Sequence, residues 1–321
     1  MALLARVADR VYWGARYTER AEDTARIVRA FGDLYVDFPV AAGLRWDPLI
    51  AIGGTSPGAI LGDGADHRDN GEAAVLHHLI VDTVNPGSIS ASVAAARENL
   101  RTTREVMPRE AWQAINQMSR FVRAEAPTAT DRRSRDWFLG RVTEISRRLD
   151  GVLESTMSRD APYRMWRLGR LVERADMTTR VIGVRAATLL GRDAGGTDDV
   201  MRLDEVEWMG VLRSLSALQM YQRAARGPIE ASAVLRFLLF HEPFPRSVRG
   251  CLSEIRRELQ SLPGPAPVLD ALSMLEHDLA ACAPDTADGG AIDRDMDRLQ
   301  RSISALDRAI ADRYMRSHIA Q

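Results

Sequence analysis

The chain contains no lysine; all 43 of its basic residues are arginine. That absence removes whole mechanisms. A P-loop needs a lysine on the nucleotide phosphates, a pyridoxal enzyme needs one for its Schiff base, and a kinase needs one to pair the nucleotide. Cysteine is almost missing as well. Cys251 and Cys282 have no ligand-like spacing and are too few to staple a fold, which points to a reducing compartment. No apolar run approaches bilayer-spanning length, and the opening MALLARVADR carries charge where a secretory signal carries an apolar core. A cytoplasmic protein with no membrane contact is the expectation. Excess charge of either sign is also lacking: 43 basic against 44 acidic residues leave a formal net of -1, which argues against general affinity for nucleic acid.

What is present is apolar residues, 45% of 321, enough for a large core, and they recur at helical spacing. VADRVYWGARYTERAEDTARIVRAFGDLY, SISASVAAARENLRTTREVM, DWFLGRVTEISRRLDGVLESTM, YRMWRLGRLVERADMTTRVIGVRAATLL, EWMGVLRSLSALQMYQRAA, CLSEIRRELQSL and DRDMDRLQRSISALDRAIADRYM all read as helices. No stretch alternates like a half-buried strand. Breakers around 53–71, at NPGS (85–88), GRDAGGTDD (191–199), PGPAP (263–267) and PDTADGG (284–290) fall between them. The expected fold is an all-α helical bundle.

Comparing the chain with itself reveals its organisation. A shift of 154 residues lays RYTERAEDTAR on RLVERADMTTR, matching Arg16 with Arg170, Glu19 with Glu173, Arg20 with Arg174, Thr24 with Thr178 and Arg26 with Arg180. A shift of 159 lays NPGSI on FPRSV, matching Pro86 with Pro245 and Ser88 with Ser247, each after an apolar helix, AAVLHHLIVD or SAVLRFLLFH. Trp46 against Trp208 is a weaker third anchor. Anchors in the same order predict two duplicated helical units, 1–160 and 161–321, related by a pseudo-twofold axis and packed as one unit.

On a helical wheel Asp9, Tyr12, Arg16, Glu19, Arg20, Asp23 and Ile27 share one stripe, and Val7, Val11, Gly14, Thr18, Ala21, Ala25 and Val28 the opposite one. A charged stripe that is buried must find partners. A pseudo-twofold axis would let Arg16 or Arg20 pair with Glu173, and Arg170 or Arg174 with Glu19, like an isologous interface. The same six residues also suit a site for an anion or a ligand carboxylate, and both readings stay open. The Pro-x-Ser turns read as helix starts capped by Ser88 and Ser247. A helix N-terminus also attracts anions, with Arg246 placed to assist. Arg97, Arg101 and Arg104 form a basic stripe expected to be solvated. The histidines are scattered, with His77 and His78 adjacent and aimed apart, so no metal site is expected. No cofactor motif is present either, the glycine-rich segment near 53 lacking the strand-to-helix setting of a phosphate loop.

The joint occurrence of RVADRVYWGARYTERAEDTAR, NPGSISASVAAARENLRTTRE, RLGRLVERADMTTR, LQMYQR and FLLFHEPFPRSVRGCL resembles the alpha-E family, bacterial α-helical proteins named for this Glu-Arg motif. Members usually carry Tyr-Trp-Met-Gly-Arg at the first motif; here Tyr12-Trp13-Gly14-Ala15-Arg16 displaces the glycine. The resemblance implies association with a circularly permuted ATP-grasp ligase and often a transglutaminase-like peptidase. The expected role is an accessory or substrate-presenting subunit of that amidoligase system, presenting a peptide or carboxylate. The alternative is a stand-alone enzyme acting on a peptide or amide, with Glu19 or Glu173 as acid or base. The missing lysine fits the first reading, since ATP-grasp chemistry usually uses one. It has two explanations: arginine codons favoured in a GC-rich genome, or selection against amines beside an amide-forming enzyme.

Overall fold

The computed structural model describes residues 4–37, 45–61, 71–190, 198–225, 227–284 and 289–316. Among them the chain runs through fourteen α-helices and no strand. The first half holds α1 (Ala5–Asp37), α2 (Pro48–Ile52), α3 (Pro57–Leu61), α4 (Gly71–Leu76), which continues as a π-helical turn over His77–Val81, α5 (Ile89–Arg101), α6 (Arg109–Glu125) and α7 (Arg132–Thr156). The second holds α8 (Ala161–Leu190), α9 (Asp198–Ser214), α10 (Leu218–Ala224), α11 (Ala231–Phe240), α12 (Val248–Gln260), α13 (Ala266–Ala280) and α14 (Gly289–Tyr314).

The two Glu-Arg helices, α1 and α8, pack on each other at the centre. α1 also contacts α5, α7 and α9, while α8 contacts α12, α14 and α2. α6 lies against α5 and α7, and α13 against α12 and α14. With neighbours all round, α1 is buried on both stripes of its wheel, apolar Val11, Ala21, Ala25 and Val28 on one and Tyr12, Arg16, Glu19 and Asp23 on the other. Apolar residues from both halves, from Val7 to Ile310, belong to one buried cluster.

The crossing of α1 and α8 is set by Gly169. A Cβ there would lie 2.3 Å from the Tyr12 carbonyl oxygen and 3.0 Å from the Ala15 Cβ, so a side chain would push the two backbones apart. The displaced glycine of the first motif does different work: Gly14 faces Leu100 and Asn99 on α5, and the α8 contact is left to Ala15. One glycine and one alanine are enough for close approach.

Three local features differ from the periodicity. The helix expected over 207–225 breaks at Leu215–Ala217, because Ser216 adopts a φ of 52°, outside the helical range. Its hydroxyl lies 3.4 Å from Arg26 Nη1 and 3.3 Å from Arg147 Nη2, so the kink delivers an acceptor to two arginines. Within the glycine-rich stretch near 53, residues Pro57–Leu61 form a short helix. α6 and α13 also fall outside the periodic segments singled out above, although α6 buries Ala111, Ala114, Ile115, Met118 and Val122 along one face. Residues 62–70, 191–197 and 285–288 of the expected loops lie outside the described residues.

Candidate functional site

The Glu-Arg motifs meet face to face. Glu19 is 0% exposed and is held by three arginines from the second half. Arg170 Nε donates to it at 2.6 Å, Arg174 donates at 2.9 and 3.2 Å, and Arg246 Nη1 donates at 2.9 Å. One turn along α1, Glu22 accepts from Ser146 at 3.0 Å and from Arg170 and Arg246 at 3.3 Å each. Asp23 takes Arg246 Nη1 at 3.0 Å and an ion pair from Arg26. Asp150, on α7, pairs with Arg170 from the other side.

The reciprocal contacts surround Glu173, which is 1% exposed. Arg16 Nε donates to it at 2.7 Å and Arg20 donates at 2.5 and 3.0 Å. Arg16 also reaches Asp307 on α14 at 2.7 Å, and the Tyr12 hydroxyl donates to the same carboxylate at 2.5 Å. Asp176 is paired with Arg180, one turn on, at 2.9 Å. Glu19 therefore has three arginines and Glu173 two.

The environments fix the protonation states. Burial alone would push Glu19 up, but Arg170, Arg174 and Arg246 outweigh it and hold the carboxyl well below the usual range. Burial of Glu173 is likewise overcome by Arg20 and Arg16, leaving it at about 2. Glu22, pushed up by burial and by Glu19, is brought below its ordinary value by Arg26, Arg246 and Arg170. Asp176 goes the other way: burial raises its carboxyl, and Arg180 only partly offsets this.

Both Pro-x-Ser serines are buried. Ser88 accepts from the Ala91 amide at 3.0 Å and caps α5, and Ser247 accepts from the Gly250 amide at 2.9 Å and caps α12. Arg246 turns away from its helix start toward the three α1 carboxylates. Each turn is also tied to its own Glu-Arg helix: Thr24 donates to the Gly87 carbonyl at 3.3 Å, and Thr178 to the Arg246 carbonyl at 3.1 Å. Sequence reasoning passed over Glu22, Asp150, Asp176 and Asp307. The signal was available, since Glu22 and Asp176 align at the 154 shift and Leu149-Asp150 aligns with Leu306-Asp307 at 157. In the basic stripe Arg101 and Arg104 are exposed, Arg104 lying 4.1 Å above the Trp112 ring, while the half-buried Arg97 bonds Asn116.

His78 is buried beside Asn85, with 3.1 Å between ring nitrogen and amide, and so supports the NPGS turn. Among the described residues no group of three or more His, Cys, Asp or Glu side chains is placed to hold a metal ion, and no helix is long and apolar enough to cross a membrane. Both cysteines are free and buried, and burial pushes the Cys251 thiol up to about 11.

A Glu-Arg pair also marks one family, described as a predicted alpha-helical domain with a conserved ER motif, whose model matches residues 3–315. The chain belongs to the Alpha-E family. Similar proteins include uncharacterized proteins of Mycobacterium bovis and Mycobacterium tuberculosis, each 24% identical over 278 residues, or 81% of this chain. The chain spans about 30% of the length of these relatives. No solved structure matches it.

Proposed function

We propose that this Alpha-E chain is a non-catalytic accessory subunit of an ATP-grasp amidoligase system, in which the Glu-Arg helices clamp two duplicated units, 1–160 and 161–321, into one body. The observation that carries the reading is that arginines bind both Glu19 and Glu173 and hold them ionised. General acid or base work calls for a carboxyl tuned toward the operating pH and within reach of substrate. These two are buried, arginine-bound and tuned away from it. A substrate carboxylate at the arginines would first have to displace Glu19 or Glu173, so presentation of a peptide falls to other surfaces. The duplication is supported by the matching Ser88 and Ser247 caps, the Thr24 and Thr178 bonds to their turns, and the positive φ shared by Gly54 and Ser216, each eight residues after its tryptophan.

The partner comes from the family resemblance; in the mycobacterial relatives the matching region makes up only about 30% of a longer chain. A transglutaminase-like protein is a second partner on the same grounds. The test is a pull-down with an ATP-grasp ligase from the same genome, followed by ATP turnover with and without this chain. Co-purification and a turnover that depends on this chain are expected. A ligase that binds nothing here and runs equally well alone overturns the reading.

A further inference from the structure

The two turns differ at one position. The bonds from Thr24 to Gly87 and from Thr178 to Arg246 place these two residues at corresponding points, so glycine stands in the first half where arginine stands in the second. Arg246 reaches from its turn across to Glu19, Glu22 and Asp23 on the opposing helix. Opposite Gly87 the corresponding residues are Glu173, Asp176 and Met177. Beside Gly87 there is a cleft of about 150 Å³, whose lining includes Gly87, Glu173, Asp176, Met177, Arg20 and Arg180.

We propose that this cleft takes the guanidinium of a ligand from outside the chain, in the position Arg246 fills in its counterpart. Asp176 is 7% exposed, and among the described residues its one ion-pair partner is Arg180, on its own helix. Its counterpart Glu22 has Arg26 on its own helix and both Arg246 and Arg170 from across, and its carboxyl is lowered where that of Asp176 is raised. A cation in the cleft would give Asp176 the partner Glu22 already has. The approach is acidic too: Arg180 also lines an adjoining cleft of about 470 Å³ with Asp47, Asp293 and Asp297. An anion would meet these carboxylates and two arginines already engaged. Guanidinium suits the site better than ammonium because its planar fork can bond Glu173 and Asp176 together while its face lies on the Met177 thioether. The inference rests on the correspondence of the two halves and not on the ligase partnership.

The test uses the whole chain and isothermal titration with N-acetyl-arginine amide, N-acetyl-lysine amide, N-acetyl-glutamate amide and methylguanidinium. Saturable binding of the arginine amide is expected, at least about tenfold tighter than the lysine amide, with none of the glutamate amide. Binding of methylguanidinium alone keeps the chemistry and assigns a small-molecule source. Gly87→Arg supplies the guanidinium from within and should abolish binding. Its Cβ would meet Asn85 Oδ1 at 3.2 Å, the acceptor of the Gly87 amide, so the turn has to give by a few tenths of an ångström, and Gly87 has no positive φ to lose. Asp176→Asn, which needs no new space, should weaken binding about fivefold or more and decides the matter if Gly87→Arg does not fold. No saturable guanidinium binding, or affinity unchanged in both variants, overturns the proposal. Neither result touches the ligase reading, since no ligase is present.

Discussion

The carboxylate at the first Glu-Arg motif and that at the second sit in the same crossing, yet one is sealed and the other borders a cleft. Glu19 has three arginines, and the acids around it, Glu22, Asp23 and Asp150, are each paired with Arg26, Arg170 or Arg246. Around Glu173, Met177 replaces an acid and Gly87 replaces an arginine, so the charges still nearly balance but the space does not close. Deleting both partners of a buried pair is tolerable where deleting one is not, because only the second leaves an unpaired charge. The second site can therefore lack an ion pair and hold a cavity at little cost in stability.

Breaking the sealed side should cost most. Glu19→Ala removes a carboxylate shared by three arginines and leaves Arg174 without an ion-pair partner among the described residues, and a loss of about 3–5 kcal/mol in urea unfolding is expected. Glu173→Ala should cost less, about 2–3 kcal/mol, because Arg16 keeps Asp307 and Arg20 is already partly exposed. Equal losses would show that the third arginine contributes nothing.

Acid sharpens the same contrast. Glu173 is held below its ordinary 4.5, so its ionised form stabilises the fold above that value, and the contribution is lost as the pH falls toward about 2. Thermal melts across that window should show wild-type stability declining, with a smaller decline in Glu173→Gln. Asp176 has the opposite sign: its raised carboxyl opposes folding at neutral pH, and protonation relieves it. Glu22→Gln should thus cost about 1–3 kcal/mol at pH 7, whereas Asp176→Asn should stay within about 0.5 kcal/mol of wild type or gain. A loss at Asp176 matching that at Glu22 would contradict the assigned difference in pairing.

The smallest difference is expected at the turns. Ser88→Ala and Ser247→Ala each remove one cap from a buried helix start of the same length, and about 1 kcal/mol apiece should be lost in chemical unfolding. A large disparity would mean that the two turns do not carry equivalent loads.

Most of the long helices, though not α6 and α13, and the six motif residues were legible because both depend on local spacing. A period of 3.6 marks a buried stripe, and a repeated Glu-Arg implies a partner of opposite sign on its copy. The break at Ser216 was not legible, since serine rarely adopts a positive φ and does so here with its hydroxyl beside Arg26 and Arg147. Asp150 and Asp307 were missed for another reason. They lie on α7 and α14, far along the chain from the arginines they meet, and exposed-looking aspartates on amphipathic helices are ordinary.

The sequence by itself determined an all-α chain with two Glu-Arg helices, the capped turns and the absence of lysine chemistry, because helix periodicity, capping and composition are local properties. Tertiary structure alone decided that Gly169 sets the crossing, that Arg246 leaves its turn to seal Glu19, and that Gly87 leaves room beside Glu173. Those outcomes depend on which backbones approach closely and which charges share a low-dielectric space, and neither is written in the spacing of residues along one helix.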